Sequence, residues 1–386
     1  MTLKSLLPSN WDPKQAGDRV LAKLVNVCGP AVKGAHDSDF LIVGGNAYVV
    51  YMANDIQPGE AASWPFVYTA LSRVNLASGR VERPVIFAAS GMTYENERLP
   101  EGACFVPRLV RKDEHTLRCF FASENPDVRE SQMWHLDYDV SSQAFRWRIH
   151  RAEIETAEGV FPMQPRHFYR QALARGFTGK QRQYGLYMID GFKEFDGRTY
   201  GVLNNYPIGQ TAWASLNDER TRLTVLGNFF QPQEAKLTES AVNRLPDGSW
   251  LAISRQENRD CNYMFARSPD GITWEPHAYS PFVQKGAASK PTFDRFGGVY
   301  YLGWQESTRI EGAFRSVFNI EVSRDGVDWE RKYRFETSRS FQYPVFRDYE
   351  GAVYLSVTQG DISDSRKERI MFGLLENHAA SESGGV

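Results

Sequence analysis

The sequence predicts an all-β protein made of repeated four-stranded sheets. Three observations carry that prediction. A short turn occurs twice, as Ser268-Pro269-Asp270-Gly271-Ile272-Thr273-Trp274 and as Ser323-Arg324-Asp325-Gly326-Val327-Asp328-Trp329. Each copy follows an alternating, strand-like run, 262–267 and 317–322. In such a turn the Asp carboxylate accepts from nearby backbone N–H groups and Gly supplies φ > 0. The second observation is a strand that opens on Gly or a turn and soon reaches an aromatic or apolar run, found at 45–50, 115–120, 197–203, 248–253, 298–304 and 351–357. The third is composition: 31 Gly and 19 Pro serve many tight turns, and aromatics reach 13%.

In chain order, a further short strand precedes each of these six, at 36–43, 105–110, 185–192, 239–245, 290–293 and 341–346. One or two more follow, as at 317–322 and 333–337. Four strands repeated in sequence with turn signals between them read as the blades of a β-propeller. The prediction is one propeller domain over residues 1–378 with six four-stranded blades, or seven if a degenerate one hides near residues 164–176. Those residues have helical spacing, with Phe168, Ala172 and Leu173 on one face and Gly176 past the end, and are expected as a short helical insertion. The last blade runs out at 369–375, and the apolar run 19–27 is expected to supply its missing strand and close the ring. The Ser- and Gly-rich stretch 379–386 is expected to be a disordered tail.

Composition excludes several classes. A net charge of −2 gives no electrostatic footprint for nucleic acid or for a polybasic membrane contact. No apolar run has the length of a transmembrane helix, and residues 1–10 lack the apolar core of a leader, so a cytoplasmic location is expected. The four cysteines, Cys28, Cys104, Cys119 and Cys261, have no metal-binding spacing and are expected as reduced thiols. No phosphate loop, dinucleotide fingerprint or helical His pair is present.

The first strand of each blade lines a propeller's channel. Aligning the six first strands stacks Asp37, Val106, Ile189, Glu239, Lys290 and Tyr343 in one column, with His36, Arg108, Asn243, Arg244 and Gln342 close by. A charged side chain is rarely buried without a partner, so this column is either a ligand site or an inter-blade salt-bridge network among residues such as Glu239, Lys290 and Arg244.

The two Asp turns resemble the Asp-boxes of sialidase-like propellers, departing from them by placing Gly directly after Asp. The stretch 239–248, running on to Arg255, also resembles a sialidase blade. The resemblance implies the fold over most of the chain. A sialidase would need an arginine triad, a tyrosine nucleophile with a glutamate partner, and an aspartate acid. Its Arg-Ile-Pro signature is absent here, and Arg108, Arg244, Arg255 and Arg315 are the available arginines, without an assignment. Ala35-His36-Asp37-Ser38 is similar to a segment of the propellers that act on rhamnose–uronate linkages, namely ulvan lyases, rhamnose–glucuronate lyases and related rhamnosidases.

That second resemblance implies β-elimination on an acidic, uronate-containing oligosaccharide. His36 would be the base and Tyr343 the acid, or the reverse; Arg108, Arg244 or Lys290 would neutralise the carboxylate. Asp37 and Gln342 would line the subsite and Trp304 would stack on a sugar face. The alternatives are a glycoside hydrolase of the same fold, with Glu239 and Asp37 as the carboxylates to test, and a glycan-binding propeller without catalysis. The expected partner is the oligosaccharide alone, with neither nucleic acid nor membrane. No cofactor is called for, and the sequence leaves open both a channel metal ion and the oligomeric state.

Overall fold

The computed structural model describes residues 5–59, 65–127, 130–174, 185–206, 210–229, 237–257, 262–277, 282–361 and 366–377. The tail at 379–386, Cys261 and the end of the expected helical insertion at 175–176 lie outside the described residues.

The strands follow a recurring antiparallel plan. The first sheet runs Gly34–Val43, Asn46–Asn54, Tyr68–Asn75, Val85–Ala88. The second runs Cys104–Arg111, Thr116–Asn125, Glu130–Asp139, His150–Arg151, with Ala144–Phe145 also paired to its third strand. The fourth is Leu237–Arg244, Trp250–Gln256, Met264–Ser268, Glu275–Pro276, and the fifth is Thr292–Phe296, Val299–Glu306, Val317–Ser323, Glu330–Glu336. The last joins Ser340–Tyr349, Ala352–Gly360 and Arg369–Asn377 to Val25–Asn26 from the other end of the chain, with Val25 opposite Phe372.

The third sheet breaks the plan. It has seven strands, because the hairpin of Glu153–Thr156 and Gly159–Pro162 adds to the outer edge of Arg222–Asn228 and pairs with it in parallel. The expectation of six, or seven, uniform four-stranded blades is therefore corrected. Among the described residues the propeller has five four-stranded blades rather than six or seven, and the third sheet is a larger mixed sheet outside that plan. The physical reason is an unpaired edge: Arg222–Asn228 would expose its ladder, and the hairpin covers it.

The inner strands of neighbouring sheets touch in sequence order, the third sheet reaching Leu237–Arg244 through Arg198–Tyr206 and Gln210–Leu216, and the last returns to the first, which closes a ring around a channel. Apolar clusters fill the gaps between neighbouring sheets; one packs Phe40 and Val49 of the first sheet against Val345 and Phe372 of the last. Each strand contributes side chains to both faces, so these blades are covered on both sides and read as long apolar runs.

Among the described residues two helices are present where one was expected. The helix α1, Pro13–Leu21, starts at Asp12, whose carboxylate accepts from the Lys14 and Gln15 backbone N–H groups, with Pro at the first helical position. It buries Ala16, Gly17 and Val20 against the fifth and last sheets. A side chain at Gly17 would meet the Arg334 carbonyl oxygen, so the close docking depends on glycine. Half of the run expected as a closing strand is thus helix or turn, and only Val25–Asn26 pairs. The helix α2, Pro165–Ala174, buries Phe168 and Ala172, but Leu173, expected on the same face, is 45% exposed.

The two Asp turns have one geometry. Asp270 Oδ1 accepts from Ile272 and Thr273 N–H at 2.8 and 2.9 Å; Asp325 Oδ1 accepts from Val327 and Asp328 N–H at 2.8 and 2.9 Å. Gly271 and Gly326 sit at φ 76° and 74°, and the Ser268 and Ser323 hydroxyls each accept from the glycine N–H at 2.8 Å. These corners lie on the outer strands, away from the channel.

Candidate functional site

Four inner strands share an irregularity at the same place. The register shifts between His36 and Asp39, between Phe105 and Arg108, between Leu237 and Ser240, and between Gln342 and Val345. Within three of these bulges a non-glycine residue takes left-handed backbone: Asp37 at φ 49°, Val106 at 48° and Tyr343 at 53°. Val106 and Tyr343 each precede a proline, which has no N–H to give to a ladder and fits a strand at a bulge. A bulge turns a side chain away from the strand's regular alternation, and such strain collects at functional sites.

The result is a compact polar cluster. The Tyr343 hydroxyl donates to the Glu239 carboxylate. Arg255 Nη1 donates to Glu239 at 2.6 Å and to the Tyr343 oxygen at 3.0 Å, while Glu257 holds Arg255 Nε at 3.0 Å. The His36 ring lies 4.3 Å from the Tyr343 ring, and its Nδ1 is 3.0 Å from the Thr358 hydroxyl. Lys290 Nζ stands 5.8 Å from the centre of the Tyr343 ring and 3.8 Å from Asp37. Arg315 donates to Gln342 Oε1 and to the Ala288 carbonyl, both at 2.7 Å.

The electrostatics follow from burial and from an excess of cations. Burial alone would raise the Glu239 carboxyl, but Arg255, the Tyr343 hydrogen bond and Arg315 outweigh it and hold the group below its ordinary value of 4.5. Burial first, then the Glu239 charge, pushes Tyr343 well above 10.0, so the phenol is neutral. Burial, followed by Lys367, Arg315, Lys290 and Arg255, drives His36 well below 6.5. Burial also lowers Lys290, helped by Arg108 and opposed by Asp37. Among the described residues, the Lys290 ammonium and the Arg315 Nε have no hydrogen-bond acceptor. A cluster of buried donors lacking acceptors is arranged to receive an anion.

Of the residues expected from sequence, His36, Tyr343, Glu239, Asp37, Lys290 and Gln342 come together here. Arg108 is close but occupied. Fully buried, it holds Asp37 at 2.8 Å and donates to the Ile189 carbonyl of the third sheet at 2.6 Å, which makes it a brace beneath the site. Arg244 is at the other end of its strand, paired with Asp196 and 5.6 Å from the Trp250 ring, in the depression at the far mouth of the channel. Trp304 is buried between sheets and donates to Glu321 at 3.2 Å, so no sugar can stack on it. These two expectations are corrected. Strand length is the cause for Arg244: five residues separate it from Glu239, and a strand rises about 3.3 Å per residue. Strand alternation is the cause for Trp304.

Arg255 and Arg315 were available from the sequence but not assigned. Arg255 follows Ser254, which is paired with Ser240 next to Glu239; a hairpin register would have found it. Arg315 lies in the connection before Val317–Ser323, takes φ 55°, and carries no periodic signal. Thr358 and Lys367 were missed for a different reason: both belong to the last sheet's end of the chain and reach His36 only through the ring closure. Among the described residues, no group of three or more His, Cys, Asp or Glu side chains is placed to hold a metal ion. Cys28, Cys104 and Cys119 are free thiols.

No protein-family model matches the chain, and no curated protein matches it. Solved structures do. A protein of unknown function from Dyadobacter fermentans DSM 18053 is similar with a TM-score of 0.65 at 12% identity, covering 92% of this chain and 98% of that one. Trypanosoma rangeli sialidase in complex with sialic acid gives 0.62 at 10% identity, over 98% of this chain and 61% of its own length. A variant of NanB sialidase from Streptococcus pneumoniae gives 0.57 at 11%, over 91% and 70%. The closeness to rhamnose–uronate lyases suggested by residues 35–38 is not carried by these neighbours. At such identities the likeness is one of fold, and the fold is that of the sialidase-like β-propellers.

Proposed function

We propose that this protein is a glycoside hydrolase acting on an acidic sugar, with Tyr343 as nucleophile and Glu239 as its base. The observation that carries the reading is the Tyr343 hydroxyl bonded to an ionised Glu239 in contact with Arg255. A neutral phenol is a poor nucleophile until a neighbouring base takes its proton. Here the bond between Tyr343 oxygen and the anomeric carbon would form as the bond to the leaving oxygen breaks. The phenolic proton passes to Glu239, and the leaving oxygen takes a proton from the solvent side. Water then attacks the anomeric carbon as its bond to the Tyr343 oxygen breaks; the water's proton goes back to the solvent side, and Glu239 returns its proton to Tyr343.

Arg255, Arg315 and Lys290 supply positive charge for a carboxylate on the sugar. The likeness in fold to sialidases supports an acidic sugar substrate. Elimination, the chemistry implied by residues 35–38, would instead use His36 and Tyr343 as a proton-transfer pair. The Tyr343–Glu239 bond favours substitution, because it gives the phenol a base rather than a proton to deliver.

The test is turnover of aryl glycosides of N-acetylneuraminate and D-glucuronate, with product analysis. The expected product is a saturated sugar, and Tyr343→Phe is expected to lower kcat by about 10³-fold or more. A product carrying the far-ultraviolet absorbance of an unsaturated uronate, or turnover that survives Tyr343→Phe, overturns the reading.

A further inference from the structure

We propose that His36 is a specificity-determining residue: it takes up a proton from solvent when the carboxylate of an acidic sugar settles among Arg255, Arg315 and Lys290, and so adds a charged donor that the empty site lacks. The inference rests on the function proposed above and extends it to how the site tells an acid from a neutral sugar.

The geometry is specific. His36 sits at the start of the bulge in Gly34–Val43, with its ring against Tyr343 of the last sheet and its Nδ1 on Thr358 of the neighbouring strand. The same hydroxyl accepts from the Asp37 N–H at 3.3 Å, which anchors the imidazole to one side of the channel. Charges reach it from every element around it. Lys367 lies beyond the same sheet, Arg255 comes from the fourth sheet, and Lys290 and Arg315 come from the fifth and its connections. The nearby anions are committed elsewhere: Asp37 to Arg108 and Lys290, and Glu239 to Arg255 and Tyr343. A cationic ring with its counter-charges engaged opposes a further proton on the imidazole.

An arriving carboxylate reverses this balance. Its charge partly cancels the field of Arg255, Arg315 and Lys290, and the imidazolium becomes favourable where it was not. His36 also lines a small cleft with Asn54, Gly59, Val67 and Lys367, the route by which a proton would reach the imidazole. The sign is fixed by linkage. His36 is depressed in the empty site and less so in the occupied one, so affinity for the acid is greatest below the empty-site value. It is lost as pH rises through the occupied-site value. Where the coupling is complete, affinity changes roughly tenfold per pH unit. A neutral sugar brings no charge and gains nothing.

The experiment is calorimetric titration of the protein at about pH 6 with sodium D-glucuronate and with N-acetylneuraminate, in buffers of different ionisation heat. The expected result for the wild type is a buffer-dependent heat corresponding to uptake of up to roughly one proton per acid bound. His36→Gln is expected to bind the same acid about tenfold more weakly, with a heat that no longer depends on the buffer. Acid binding without proton uptake by the wild type overturns this inference alone, and that measurement needs no variant. Proton uptake that persists in His36→Gln also overturns it. Failure of both acids to bind overturns the parent reading together with this one.

Discussion

At the scale of single residues, the channel contains two kinds of buried charge. Arg108 and Lys193 spend their terminal donors on carbonyl oxygens and carboxylates of their own and neighbouring sheets, although Arg108 Nε has no acceptor among the described residues. Lys290 does not: its ammonium is buried, 3.8 Å from Asp37, and has no hydrogen-bond acceptor among the described residues. The contrast separates bracing from binding better than residue type does. Glu239 is paired with Arg255 and Tyr343 rather than left open, and its depressed carboxyl sets a pH limit. The group is ionised above its folded value and loses its charge as pH falls through that value, which lies below the ordinary 4.5. Activity is therefore expected to hold on the acid side down to below about pH 4.5, with the Tyr343 phenol imposing no loss below pH 10. A kcat profile against pH checks this. Glu239→Gln, which keeps an acceptor but not a base, is expected to lower kcat by about 10²–10⁴-fold.

At the scale of elements, the repeated turns are structural. Both use one carboxylate to satisfy two backbone N–H groups that the chain reversal leaves free, and both need a glycine in the left-handed region. Asp270→Ala and Asp325→Ala are each expected to cost about 1 kcal/mol, by similar amounts, and to leave turnover unchanged. Denaturant midpoints measured beside kcat check the pair, and a clear loss of activity in either would place the turn near the chemistry. The inner-strand bulges are the opposite case. They recur in four strands but are filled by different residues, and in three of them the strained position is Asp37, Val106 or Tyr343. Common backbone with divergent side chains is what a scaffold needs if each sheet is to contribute one group to a shared centre.

At the scale of the whole molecule, closure depends on buried cations as well as on apolar packing. Lys193 of the third sheet donates to the Val242 carbonyl of the fourth and the Phe293 carbonyl of the fifth, and pairs with Asp190 at 2.9 Å and Asp294 at 3.3 Å. Arg347 of the last sheet holds Asp39 of the first at 2.8 Å. Burial would lower the Lys193 ammonium, but Asp190 and Asp294 raise it, so it stays charged. Lys193→Met would leave two carboxylates buried without their cation, and about 3–5 kcal/mol of stability is expected to be lost. Thermal unfolding checks this, and a loss under about 1 kcal/mol would show that the sheets are held by packing alone. Lys193 also lines the far-mouth depression, roughly 730 Å³ in volume, with Arg244 and Asp294 on its walls. That end of the channel is thus bound into the frame, whereas the Tyr343 end is left with unspent donors.

The sequence by itself determined the recurring antiparallel strand pattern and the column of inner-strand residues, but not the number of four-stranded blades. These depend on period-two alternation and on turn chemistry, which are local. Aligning the first strands was enough to set Asp37, Glu239, Lys290 and Tyr343 at one level. Only the tertiary structure decided the rest. It showed that the 153–162 hairpin widens the third sheet, since edge pairing between distant segments leaves no mark on periodicity. It separated Arg244 and Trp304 from the site, since a residue's level along a strand and the face it takes are settled by register. And it brought Arg255 and Arg315 beside Tyr343 from other parts of the ring, and Thr358 and Lys367 to His36 across the ring closure, where the first and last sheets meet through contacts that no local pattern records.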